Sequence, residues 1–284
     1  MDFLLNELSL QGQFDSTDSF LKSLPCTVKC IELIHQNANM PIYKTEDFYK
    51  CSITQDMKLC DLKNYQISDE LLQFKIKLDN EIYEEPVWDT DPYHDIEQKF
   101  FWDGEDVSAT SLAEAVARKG ALLSFLLDGV RDCVLNICKN EEKHDIVSVH
   151  SPQYLTEQYG KLLNVDRKTW LLLRYEGSRI DCSLLEDKYG ADILEKNEFK
   201  ELVSTLDKFV RRESWEAIAI DDGLEYKKYS PENEEKNWFS GGKYKGKTIM
   251  KFRYSKVMRC FGYRKGDRFR ILRIERDHKI SDNG

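Results

Sequence analysis

Three stretches near the end of the chain decide how it folds: Thr248-Ile-Met-Lys-Phe-Arg-Tyr254, Val257-Met-Arg-Cys-Phe-Gly-Tyr263 and Arg268-Phe-Arg-Ile-Leu-Arg-Ile-Glu275. In the first, Met250, Phe252 and Tyr254 alternate with Lys251 and Arg253, the two-residue period of a strand. Arg264-Lys-Gly-Asp267 separates the second from the third and reads as a hairpin turn, with Gly266 free to take positive φ. In the third stretch the apolar pattern changes phase near Ile271 and Leu272, as a bulge, or a strand buried at one end and exposed at the other, would produce. Three consecutive antiparallel strands form a meander. The residues ahead of them, 197–215, carry Phe199, Leu202, Leu206, Phe209 and Val210 at helical spacing.

Outward from this core the pattern is mixed. Helices are expected over 17–38 (with Pro25 inside or at its start), 68–83, 151–163 and 166–175. Ser111-Leu-Ala-Glu114 reads as a capping box opening an Ala-rich helix that Gly120 ends. Residues 121–127 and 132–138 are apolar runs expected to pair as buried strands, with 145–150 as a third. Short strands are expected over 43–62 and at 216–220. The whole is an α+β chain. A mixed region, 1–195, with an internal boundary near 84–107, precedes a helix-plus-meander domain, 196–284, of three or four antiparallel strands.

Charge divides the same way. Of 284 residues 42 are basic and 51 acidic, a net of −9. From Gly241 onward fourteen basic residues face four acidic ones, so that end carries +10 and the rest −19. Such a tail suits a polyanion, and Lys256, Arg264, Arg268, Arg270, Arg273 and Lys279 are its candidate nucleic-acid contacts. On this reading deletion of 241–284 abolishes nucleic-acid affinity. Solvation of one sheet face by Lys and Arg explains the same count.

Other classes lack their signatures. No apolar run approaches the ~18 residues of a membrane span. The first residues lack a signal peptide's basic start and apolar run, and the eight cysteines contain no C-x-x-C, so a cytoplasmic chain with reduced thiols is expected. Cys26/Cys30 and Cys133/Cys138 have no second pair to complete a zinc site, so no metal and no cofactor are expected. Phosphate-loop, dinucleotide and nucleophile-elbow glycine motifs are missing. Glu97-Gln-Lys99 after Asp89, Asp91 and Asp95 imitates a metal-dependent nuclease, and His94-Asp95 and His144-Asp145 could ligate a metal; such patterns arise cheaply in a chain one-third charged. Trp88, Tyr93, Phe100, Phe101 and Trp102 are stacking candidates that a core would use equally well.

The lines Lys251-Phe-Arg-Tyr-Ser-Lys-Val-Met-Arg-Cys-Phe-Gly-Tyr263 and Asp267-Arg-Phe-Arg-Ile-Leu-Arg-Ile-Glu-Arg-Asp-His-Lys279, behind the helix near Asn197, resemble the RelE/ParE/HigB superfamily of small bacterial toxins. The resemblance covers about the last 90 residues. It implies a metal-independent endoribonuclease that cuts messenger RNA, often on the ribosome, in a toxin–antitoxin or defence setting. The family's cationic positions correspond to Lys251 or Arg253, to Arg259 and to Arg276, with His278 in place of a terminal tyrosine. ParE-type members inhibit gyrase instead. In-line attack by a 2′-hydroxyl builds charge on phosphoryl oxygens that fixed arginines can stabilise, and His278 is suited to proton transfer. RNA or the ribosome, and a neutralising or activating protein, are the implied partners. The other reading is a non-catalytic subunit whose basic domain binds nucleic acid or an acidic protein. For Arg259 the structural alternative is a pair with Glu275 across the sheet.

Overall fold

The computed structural model describes residues 1–36, 40–95, 97–232 and 234–277. They form two compact units, Met1–Asn164 and Val165–Gly284, each with a mixed sheet and helices, an α+β chain as its sequence predicts.

In the first unit the chain runs β1 (Phe3–Leu5), α1 (Thr17–His35), β2 (Ile42–Tyr43), α2 (Asp69–Tyr83), β3 (Phe100–Trp102), β4 (Glu105–Asp106), α3 (Ser111–Arg118), β5 (Ala121–Leu123), β6 (Cys133–Lys139), β7 (Glu142–Val149) and α4 (Pro152–Tyr159). The sheet order is β2-β1-β5-β7-β6-β3-β4, parallel across its first four strands and antiparallel thereafter. Apolar β5 does not pair with β6, as its sequence suggests. It lies between β1 and β7, buried along its whole length, which is why it reads as a continuous apolar run. β6 pairs with β7 in a regular antiparallel ladder. Residues 43–62 supply little strand beyond β2; 3-10 turns at Phe48–Lys50 and Leu59–Asn64 replace the expected pieces. Thr110, not Ser111, caps α3, its hydroxyl accepting from Leu112 N. Glu114 is drawn instead to a buried site, where it accepts from the backbone N–H groups of Tyr93 and His94 and pairs with His94 Nδ1 at 2.6 Å and with Arg118. Residues 84–107 therefore belong to this unit rather than bounding it.

The second unit runs α5 (Arg167–Arg174), β8 (Ile180–Asp181), α6 (Lys196–Arg211), α7 (Trp215–Ala219), β9 (Lys227–Lys228), β10 (Met250–Arg253), β11 (Arg259–Lys265) and β12 (Arg268–Glu275), with sheet order β8-β12-β11-β10-β9. It begins at Val165, well before residue 196, because β8 pairs with β12 and because Leu171, Tyr175, Ile180 and Leu185 share one core with Leu202, Leu206 and Phe209 of α6. Residues 216–220 are not a strand. Ser214 caps the short α7, whose Trp215 and Ile218, three apart, are buried together.

The meander forms as read, with Gly266 at φ 62° in the hairpin. Its phase change is a bulge. Phe261 faces Arg273 and Gly262 faces Ile271, leaving Leu272 as the extra residue. Phe252, Cys260, Phe269, Ile271 and Ile274 therefore point to the inner face, against α6. Phe261, Tyr263, Leu272 and Arg273 point to the outer face, which residues 229–249 cover with Tyr229, Phe239, Tyr244 and Ile249.

Deletion of 241–284 would remove β10 to β12, so it tests folding and not nucleic-acid affinity. Gly262 tests the bulge. A Cβ there would lie 2.2 Å from the carbonyl oxygen of Arg270 and 2.8 Å from the ring of Phe269. Gly262→Ala is expected to destabilise this unit by about 1–3 kcal/mol through forced backbone displacement, seen as a lower midpoint in urea. An unchanged midpoint would mean the bulge can relax.

Candidate nucleic-acid interface

The expected catalytic cations are spread over two faces of the sheet. Lys251 and Arg253 stand two apart on β10, and Arg253 lies directly opposite Arg259 on β11, so these three share the outer face. Each already has local work. Lys251 is 2% exposed, its ammonium 5.9 Å from the centre of the Tyr229 ring. Arg253 pairs with Glu225 at 2.9 Å and donates to the Asp222 carbonyl. Arg259, 7% exposed, donates to the carbonyl oxygens of Ser255, Lys256 and Met258 at 3.1–3.3 Å and lies 3.7 Å from Glu225. Buried Glu275 is its register partner on β12. Arg259 thus ties down the turn between β10 and β11.

Arg276 turns the other way. It reaches the start of α6, on the inner side, and meets Glu198 at 2.9 Å and Glu195 at 3.3 Å. Burial pushes the Glu198 carboxyl up, but the Arg276 hydrogen bond, the Glu195 backbone N–H and the charges of Arg276 and Arg167 together hold the group below its ordinary value. Lys251, Arg253 and Arg259 are brought together; Arg276 is not with them. His278 and Lys279 lie outside the described residues.

Most of the expected nucleic-acid contacts are similarly engaged. Arg270 faces Asp181 at 3.5 Å, and Arg268 donates to the Ser178 carbonyl. Arg273 is the most enclosed. Its Nε and Nη2 reach Glu186 Oε2 at 2.9 Å, Nη2 also donates to the Tyr244 hydroxyl, and Nη1 donates to the Trp238 carbonyl. The rings of Tyr189, Trp238, Phe239 and Tyr244 surround its guanidinium at 4.8–5.3 Å. Lys256 is exposed, at the turn that Arg259 secures.

Arg264 differs. It belongs to an open groove of about 770 Å³ at the hairpin end of the sheet, which no sequence motif marks. One wall is Trp215, Glu216, Ala219 and Tyr226; the other runs from Gly246 to Met250; Tyr263, Arg264 and Lys265 complete it. The Arg264 guanidinium lies 4.2 Å from the centre of the Trp215 ring and donates to the Gly266 carbonyl. Lys247 sits 4.8 Å from the centre of the Tyr263 ring and donates to the Lys243 carbonyl. Neither they nor Lys265 form an ion pair with a carboxylate among the described residues, whereas Arg253, Arg259, Arg270, Arg273 and Arg276 all do. Aromatic faces position these cations without neutralising them. Sequence reasoning missed Lys247 and Lys265, along with the walls; Lys245-Gly-Lys247 and Arg264-Lys265, both beside glycine turns, were the available signal.

The other candidate chemistry does not assemble. His94 is enclosed by Glu114, Trp88 and Phe100. None of the eight cysteines is in a disulfide. Among the described residues no group of three or more His, Cys, Asp or Glu could hold a metal, and no helix is long and apolar enough to cross a membrane.

Arg259→Lys separates a clamp on phosphate from a structural tie. The geometry favours the tie: lysine keeps the charge but cannot span three carbonyls and Glu225. The variant is expected to lose about 1–3 kcal/mol of stability through loss of the charged hydrogen bonds that hold the turn, read as a lower melting temperature. A melting temperature equal to that of the parent chain would contradict this.

Comparison with family models, with curated proteins and with solved structures returned no match to this chain.

Proposed function

We propose that the Val165–Gly284 unit binds single-stranded RNA through the groove of Lys247, Arg264 and Lys265, and does so without cutting it. The observation that carries this reading is that these three cations are held on aromatic faces or exposed, with no carboxylate at ion-pair distance among the described residues, while the arginines expected to do chemistry are matched by acids of their own unit. A phosphate can therefore displace water from the groove cations without breaking an ion pair. Tyr226, half-buried, and Met250 offer apolar surface beside them, which suits an unstacked base. Unit composition supports the choice: Val165–Gly284 has 27 basic and 22 acidic residues, Met1–Asn164 has 15 and 29. Among the described residues no histidine, the usual proton-transfer group, lines the groove. The toxin-like and defence setting rests on the sequence resemblance alone.

The test is anisotropy of a labelled single-stranded RNA of about a dozen nucleotides, titrated with the full chain between about 50 and 200 mM salt. Replacing Lys247, Arg264 and Lys265 together by alanine should weaken binding at least about tenfold and flatten the salt slope by about 2, since each phosphate contact on a single strand contributes about 0.7. The RNA should stay intact in EDTA. Equal binding by the triple variant would reject the groove; RNA cutting that disappears in Arg259→Ala would favour the ribonuclease reading.

A further inference from the structure

Among the described residues Glu216 is the one acidic side chain lining the groove. It is exposed on the first turn of α7 and forms no ion pair among the described residues; its own backbone N–H, the Ser214 hydroxyl and, more weakly, the nearby Arg264 charge hold its carboxyl below the ordinary value. Elsewhere in this unit neighbouring opposite charges close on each other: Arg174 with Asp207, Arg212 with Asp221, Arg273 with Glu186. Here three cations and a carboxylate border one cleft and remain apart. The complement of such a cleft carries negative charge for the cations and a pair of N–H donors for the carboxylate.

Among the bases, guanine alone meets that description. Its N1–H and N2–H₂ stand side by side, matching the two oxygens of a carboxylate in a charge-assisted pair. Adenine and cytosine each set an amino group beside a ring-nitrogen acceptor, which a carboxylate repels, and uracil has one N–H between two carbonyls. The volume of about 770 Å³ suits one or two nucleotides. Resting on the proposed RNA binding, we infer that the groove reads guanine: Glu216 accepts from its N1–H and N2–H₂ edge, while Lys247, Arg264 and Lys265 take the flanking phosphates.

The experiment uses the full chain and uridine-rich single-stranded RNAs that differ only in a central GG, AA or CC pair, with a fourth in which inosine replaces guanosine. The GG strand should bind about tenfold tighter than AA or CC, within the range of a bidentate base contact. Inosine, lacking the N2 amino group, should lose most of that advantage. Glu216→Gln should bring the GG, AA and CC affinities to within about twofold while leaving the AA affinity equal or tighter, because a repulsive charge is removed. Circular dichroism should show an unchanged melt, as the side chain is exposed. A GG preference that survives Glu216→Gln, or no preference while binding still depends on the three cations, overturns guanine reading and leaves RNA binding standing. Failure of all strands to bind overturns both.

Discussion

The outer face of the second sheet depends on the enclosure of Arg273. An arginine in the middle of a buried surface is costly unless its five donors and its charge are met. Here Glu186 takes the charge and two donors, the Tyr244 hydroxyl and the Trp238 carbonyl take others, and four rings close around the guanidinium. Burial pushes the Glu186 carboxyl up, yet hydrogen bonds from Tyr244, Lys243 and Arg273 hold it below its ordinary value, so the pair stays ionised. Tyr189 and Glu186 come from one part of the chain, and Trp238, Phe239 and Tyr244 from another. One side chain of β12 thereby fastens both to the sheet. It can do so because the bulge at Leu272 turns Arg273 outward; in an unbroken alternation it would share the inner face with Ile271.

Sealing that face decides which charges remain available. The +10 of residues 241–284 suggests a surface turned to a polyanion, but much of it is met inside the same unit by Asp181, Glu186, Glu195, Glu198 and Glu225, which lie earlier in the chain. Exposed ion pairs contribute little to stability individually; here their consequence is to withdraw arginines from any ligand. Of what is left, Lys256 stands at the turn between β10 and β11, while Lys247, Arg264 and Lys265 stand at the hairpin end, where the covering segment ends at Ile249 and aromatic rings hold Lys247 and Arg264.

Much of the fold was legible because the relevant signals are local. Alternation marked β10 and β12, helical spacing marked α6, Arg264-Lys-Gly-Asp267 marked the hairpin, and the phase change at Ile271 and Leu272 marked the bulge. Failures came where distant partners decide. The neighbours of β5 are β1 and β7, which an apolar run cannot name. Glu114 has the spacing of a capping residue but is claimed by His94 and Arg118. For the site, a two-residue period put Lys251 and Arg253 on one face, and the strand register sets Arg259 opposite Arg253, whereas Arg276 lies one residue past the last strand and follows the acids of α6. The groove draws on three separated segments and has no motif.

The central claim is that ligand contact is confined to the hairpin-end groove while the outer-face arginines stay internal. Photo-crosslinking of the full chain to a single-stranded RNA carrying 4-thiouridine, followed by mass spectrometry of the adducts, tests it most directly. The account predicts crosslinks within residues 215–226, 246–250 and 263–265, lost when Lys247, Arg264 and Lys265 are replaced. Crosslinks concentrated at 251–259 and 276–279, and insensitive to those replacements, would contradict it.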